Sequence, residues 1–236
     1  MPERGVCLMS LRALAVSGLA VAGLLLTVPA AHAATPVQLT GTQLASRLLP
    51  TSYFPVGYKI DKASTYNSGG RLEHGPVKHH LAIISCKKYL ISGLPRTGFG
   101  ETATAGTIVG KRAQAYQEGV WQFANPAKAT SFYRQYYVFV QRCRTVTATL
   151  GHDKAGLTTR LLKKTHVGRY QAFRALQVVT LTGFPATIND TTVVLAGTDV
   201  YLINAAGNKE PTKPAVPVAL LHLIARVHAF TPRIPA

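Results

Sequence analysis

The side chains whose types and spacing come nearest to a catalytic or ligating set are three histidines and two carboxylates. His74, His79 and His80 fall within seven residues, and imidazoles so grouped could share copper or zinc in an exported protein. Adjacent residues on a strand point to opposite faces, however, and Glu73 is the sole acidic ligand beside them, so a pH-sensitive surface is the favoured role. No metal and no cofactor is expected. Glu101 and Asp199 are the carboxylates best placed along the chain for glycoside hydrolysis, which needs two across a cleft. Glu101 follows Gly98-Phe99-Gly100, whose glycines permit a tight backbone path, and a structural role at a strand start is the stronger reading. The chain has no Gly-x-Ser-x-Gly elbow and no His-Glu-x-x-His, so the usual signatures of exported esterases and zinc proteases are missing. No catalytic residue is assigned.

Charge is the next chemical signal. The chain carries 26 Lys and Arg against 9 Asp and Glu, a formal balance of +17. Such an imbalance favours polyanionic neighbours: phosphate- or carboxylate-bearing wall polymers, anionic headgroups or extracellular nucleic acid. Arg160, Lys163, Lys164, His166, Arg169 and Arg174 form the densest basic stretch, and Arg160, Lys163, Lys164, Arg169 and Arg174 are the candidate polyanion-binding residues. Nucleic acid is disfavoured, because it also asks for exposed aromatic platforms. Tyr133, Tyr136 and Tyr137 beside Arg134 come nearest to one, and helical spacing assigns at least Tyr136 to the core.

The first 33 residues decide where any such chemistry happens. Arg4 and Arg12 precede an apolar run from Ala13 to Val28, and Ala31-His32-Ala33 supplies the small residues of a signal-peptidase site, so cleavage between Ala33 and Ala34 is expected. The run is shorter than the roughly 20 residues of a membrane span, and Pro29 ends it, which leaves no membrane span in the mature chain. Residues 34–236 are then expected as a single secreted domain. Removing Glu3, Arg4 and Arg12 brings the balance to +16, and removing Cys7 leaves Cys86 and Cys143. In an oxidising compartment that pair is expected to close. The loop of roughly 60 residues would stabilise the fold by at most about 4 kcal/mol.

Several elements must position these groups. Thr42 to Leu49 sets Leu44, Leu48 and Leu49 on one face of a short helix that Pro50 stops. A strand follows around Tyr58 to Asp61, then a loop at Asn67 to Gly70. Ser85 is a potential N-cap for a second short helix carrying Cys86, Tyr89 and Leu90 and ended by Gly93 and Pro95. Glu101 to Val109 and Ala113 to Phe123 suit an antiparallel hairpin. The second of these strands carries apolar weight on both faces, as a central strand does.

Asn125-Pro126 is a strong helix start. From Pro126 to Cys143, Ala129, Phe132, Tyr136, Phe139 and Cys143 make an inward stripe, with Lys128, Arg134 and Arg142 away from it. Arg144 to Leu150, Leu157 to Thr165, Tyr170 to Leu181, Thr187 to Gly197 and Asp199 to Asn204 read as five strands on short links, hence antiparallel neighbours. After a Pro and Lys loop, Val218 to Phe230 makes a last helix with Leu220, Leu221, Ile224 and Val227 on its apolar side. The expected fold class is α+β: one twisted antiparallel β-sheet of about eight strands, with about four helices packed against it and one disulfide.

The run Leu48-Leu49-Pro50-Thr51-Ser52-Tyr53-Phe54-Pro55-Val56-Gly57-Tyr58, then Ser85-Cys86, Gly98-Phe99-Gly100-Glu101-Thr102-Ala103, Trp121-Gln122-Phe123-Ala124 and Arg142-Cys143, resembles the PknH-like extracellular sensor domains of actinobacteria. The resemblance covers most of the chain after residue 33. It implies an α+β sensor domain with helices against an antiparallel sheet, disulfides, and a cleft for a small ligand, with Cys86 and Cys143 carrying over as one disulfide. Two departures stand out: the kinase sensors are tethered outside a membrane helix, and their domain holds two disulfides where this chain can form one. The leading expectation is a secreted, non-enzymatic, sensor-like or ligand-binding domain at the cell envelope. A basic protein that binds an anionic wall polymer comes second. A hydrolase with an unrecognised site comes last.

Overall fold

Chain order runs α1 (Gly41–Ala45), a 3₁₀ turn (Thr51–Tyr53), β1 (Lys59–Asn67), α2 (Cys86–Ser92), β2 (Ala103–Lys111), β3 (Gln114–Gln122) and α3 (Pro126–Arg142). It continues with β4 (Thr145–Leu150), β5 (Asp153–Val167), β6 (Tyr170–Leu181), β7 (Phe184–Ala196), β8 (Asp199–Gly207) and α4 (Val216–His228). The computed structural model describes residues 38–72, 75, 77–111, 113–209 and 215–229. The expected signal peptide with its Ala33-Ala34 junction, Glu73 and His74 lie outside the described residues. Among the described residues no helix is long and apolar enough to cross a membrane.

The strands form one sheet in the order β1-β2-β3-β8-β7-β6-β5-β4, and every neighbouring pair is antiparallel. Two meanders, β1 to β3 and β4 to β8, meet where β8 pairs with β3. This topology leaves the chain a long way to travel after β3, since β4 is the opposite edge. Five strand spacings come to about 24 Å, and α3, with 17 residues, is about 25 Å long. The main helix is therefore the crossover, and it touches β7 and β8 as it passes over the sheet. Asn125 starts it, its side-chain oxygen accepting from the Lys128 N–H at 3.0 Å, with Pro126 just inside.

Both faces of the sheet are covered, because alternate residues along each central strand are apolar in both directions. One face packs Tyr116, Val120, Tyr201 and Ile203 against Leu44, Leu48 and Leu49 and against Leu220, Leu223 and Ile224 of α4. The other packs Trp121, Phe173, Val193 and Leu202 against Phe132, Tyr136 and Phe139 of α3. The expected stripe on the main helix is buried throughout, and Tyr133 and Val140 join it. Cys86, at the start of α2, is bonded to Cys143, which caps α3, with their Cα atoms 5.3 Å apart.

Besides shifts at the ends of β2, β5, β7, β8 and α4, the elements depart from expectation in three places. The first helix stops at Ala45 rather than Leu49; Arg47 and Leu48 then bond three residues back, to the Leu44 and Ala45 carbonyls, so a tightened turn buries the leucines. Strand β1 runs on to Asn67, beyond the expected Asp61. In α4, Leu221 points outward at 40% exposure while Leu223 is fully buried. A period of 3.6 through Val216, Leu220, Leu223 and Val227 puts Leu221 about 130° from the middle of that stripe, which is why Leu221 cannot share it.

Candidate ligand cleft on the sheet

Between α2 and the central strands lies a cleft of 370 Å³. Its floor is a transverse row of uncharged polar side chains. Gln117 of β3 stands opposite Asn204 of β8, and Asn204 opposite Thr191 of β7. Two residues back along β7, Asn189 stands opposite Gln177 of β6, which stands opposite Thr159 of β5. Residues opposed in antiparallel register share a face, so five strands contribute to one polar band. The Thr191 hydroxyl donates to Asn204 Oδ1 at 3.1 Å, Asn204 Nδ2 donates to Asn189 Oδ1 at 3.4 Å, and Gln177 Nε2 donates to Thr159 Oγ1 at 3.2 Å. Leu157, Val179 and Leu202 fill the floor between them.

The walls are aromatic and come from distant segments. Tyr89 and Leu90 of α2 form one side, and the Tyr89 hydroxyl reaches Gln177 Oε1 at 3.4 Å. Gly93 ends α2 with φ +70, its N–H donating to the Tyr89 carbonyl, which turns residues 93–96 along the cleft. The Trp121 indole N–H donates to the Arg96 carbonyl at 3.2 Å, and the Arg96 guanidinium lies 5.1 Å from the centre of the Tyr66 ring. Burial pushes Tyr66 and Tyr89 up to about 12 and Tyr136 well above its ordinary value. All three phenols are neutral at physiological pH. Among the described residues Arg96 is the one charged side chain in the lining.

The residues singled out from sequence sit elsewhere. Glu101 accepts from the Gly98 and Phe99 N–H groups, both at 2.7 Å, and so fastens the strand entrance as expected. Asp199 is buried among the Tyr201 and Thr198 hydroxyls, with burial raising its pKa against bonds from Gln122, Tyr201 and Thr198 and the charge of His228. Neither carboxylate lines the cleft. His79 rests on Phe99, and with His80 it borders a smaller 230 Å³ hollow beside Lys128 and Gln135. Among the described residues no group of three or more His, Cys, Asp or Glu is placed to hold a metal ion. Tyr133, Tyr136 and Tyr137 pack on Phe173 rather than standing free as stacking platforms.

The candidate polyanion residues do not form one patch. Lys163 opposes Arg174 on one face of the sheet, where the Arg174 guanidinium forks onto the Asp190 carboxylate at 2.7 and 2.9 Å. Lys164 opposes Phe173 on the other face, its ammonium 5.2 Å from the Tyr137 ring. Arg160 lies in the register irregularity of β5, and Arg169 in the turn before β6. Strand alternation separates what sequence order had placed together.

Sequence reasoning missed the cleft floor. The signal was present as single polar residues interrupting apolar strands, such as Asn204 after Leu202-Ile203 and Gln117 two residues before Gly119. Their assembly depends on the β3–β8 pairing, which joins segments about 80 residues apart and is invisible to local periodicity.

A search of solved structures places this architecture. The crystal structure of the extracellular domain of PknH from Mycobacterium tuberculosis matches with a TM-score of 0.54 at 18% identity, covering 81% of this chain and 98% of that one. The fold is that of the PknH extracellular domain. An uncharacterized protein from Mycobacterium smegmatis, an Rv0999 ortholog, is similar at a TM-score of 0.39 and 11% identity over 78% of this chain and 93% of that one. No protein-family model and no curated protein matches the chain. The PknH-like fold inferred from short motifs is thus present, with the disulfide between Cys86 and Cys143.

Proposed function

We propose that this chain is a secreted, non-enzymatic, sensor-like domain that binds a small ligand at the cell envelope. On this reading residues 1–33 are a cleaved signal peptide, residues 34–236 are the one mature domain, and the ligand occupies the cleft on the sheet. The observation that carries the reading is the cleft itself: its floor crosses five strands of the sheet, and its volume is within the roughly 300–1,000 Å³ of ligand sites. The PknH-like fold and the absence of a catalytic constellation in the sequence support it further. The full chain, expressed in a secreting bacterial host, should appear in the medium starting at Ala34. Native mass spectrometry of that material should detect a co-purified small molecule, or a thermal-shift screen should raise its melting temperature. A protein consistently bare and unshifted would remove the reading.

The +17 balance favours a second reading, binding of an anionic wall polymer. Arg160, Lys163, Lys164 and Arg169 are exposed, whereas Arg174 is already engaged by Asp190. Polymer binding would weaken steeply between low and high salt as screening rises. Salt-independent retention on a wall-polymer column, or none, would exclude it.

A further inference from the structure

The cleft's lining narrows the chemistry of its occupant, an inference that rests on the sheet cleft being the ligand site. From the row of Gln117, Asn204, Thr191, Asn189 and Gln177 between aromatic walls, we infer that the cleft takes a short neutral saccharide. Each amide carries both a donor and an acceptor, and each hydroxyl does the same. A sugar ring presents adjacent hydroxyls that donate and accept in turn, and a band of four amides and the Thr191 hydroxyl offers both kinds of partner along its length. The rings of Tyr66, Tyr89 and Trp121 supply the apolar surfaces that the C–H faces of a pyranose require.

Other ligand classes fit less well. The chain has 26 Lys and Arg, and among the described residues one of them, Arg96, lies in this lining, its guanidinium held over Tyr66. An anion site would draw on that supply of cations. An acyl chain would meet the amides and hydroxyl set among Leu157, Val179 and Leu202, each polar group costing desolvation without a replacement bond. A peptide added by strand pairing needs a free sheet edge, but the floor strands β3, β8, β7 and β6 each have a paired neighbour on both sides. On the floor, side chains are left to recognise the occupant, and its polar ones are amides and a hydroxyl. Gln117 is exposed at the open end of the row, which leaves its amide free to meet a ligand.

Trp121 is the chain's single tryptophan and lines the cleft, so its fluorescence reports occupancy directly. Full-length protein, processed as its host exports it, would be titrated with neutral mono- and disaccharides: glucose, galactose, mannose, N-acetylglucosamine, maltose, cellobiose, lactose and diacetylchitobiose. Glucuronate, inorganic phosphate, decanoate and tri-alanine would serve as the competing classes. At least one neutral saccharide should change Trp121 emission saturably. Gln117→Ala and Asn204→Ala should each lower its association constant about 10-fold, as one or two lost hydrogen bonds require, and Arg134→Gln, exposed on α3 and outside the cleft lining, should leave it unchanged. Gln117 is exposed, so its variant keeps the fold, and an unaltered circular dichroism spectrum verifies that. Saturation by phosphate, decanoate or tri-alanine with no response to any sugar would overturn the saccharide assignment while leaving the cleft as the ligand site. Silence from every class would overturn both.

Discussion

Glu118 offers a quantitative test of how this fold is held together. It lies on β3 facing α1 and α4, 1% exposed; its Oε2 accepts from the Leu49 N–H at 3.1 Å, and its Oε1 has no partner among the described residues. Burial pushes its pKa from an ordinary 4.5 up to about 8, against the smaller opposing effects of the Leu49 N–H and the Arg226 charge. A carboxyl whose folded pKa is raised is protonated in the folded state where the unfolded chain has already ionised. Its stabilising balance is therefore complete below pH 4.5 and is lost progressively as pH rises to about 8. The loss is about 1.4 kcal/mol per pH unit, which amounts to about 3 kcal/mol at pH 7.

Glu118→Gln replaces the protonated acid with a neutral isostere that still accepts from Leu49, and it leaves one polar group unpaired just as the acid does. The variant should match the parent at pH 4 and exceed it by about 3 kcal/mol at pH 7. For a domain of this size that corresponds to a melting temperature raised by roughly 6–12 °C. Urea titrations from pH 4 to 8 would measure the difference. A difference independent of pH, or a variant less stable than the parent at pH 7, would show that Glu118 is ionised and paired with Arg226, and the burial argument would be wrong.

Other consequences follow from the same contacts. Replacing Cys86 and Cys143 together by Ala should cost at most about 4 kcal/mol in urea unfolding. Unchanged stability would mean that the reduced chain already holds α2 against α3. Glu101→Gln removes the charge that binds two backbone N–H groups and should cost roughly 2 kcal/mol, measurable by thermal unfolding at pH 7. Its effect should be on stability alone. Asn125→Ala removes the cap of the crossover helix and should cost about 1 kcal/mol, while Asn125→Asp should recover most of it.

Much of the architecture was legible because it is local. Asn125-Pro126 starts α3, the stripe from Ala129 to Cys143 is buried as its spacing demands, and β6 begins and ends where alternation and glycine turns put it. The disulfide followed from the count that remains once Cys7 is set aside. What was not legible depends on strand order. Local patterns say that Gln117, Asn189 and Asn204 are polar residues on strands, and nothing in them says that the three strands lie side by side. The basic stretch failed for a related reason: Lys163 and Lys164 are neighbours in sequence and opposites on the sheet.

The disulfide and the cleft also prove to be one arrangement. Topology forces α3 to cross the sheet, and packing of Phe132, Tyr136 and Phe139 fixes its height above the strands. Cys143 at its end then holds the start of α2, and two further contacts set that short helix in place: the Tyr89 ring edge-on to Phe139 and the Tyr89 hydroxyl on Gln177. A seven-residue helix has little stability of its own. Its position, and hence the width of the cleft it walls, is set by the bond to α3 and by Trp121 gripping the Arg96 carbonyl beyond it. Opening the disulfide should therefore loosen the wall before it unfolds the sheet. In a mild reductant titration, Trp121 emission should change at reductant concentrations where the β-sheet circular dichroism signal is still intact. Simultaneous loss of both signals would mean that the cleft wall has no independent freedom and that the bond serves the fold as a whole.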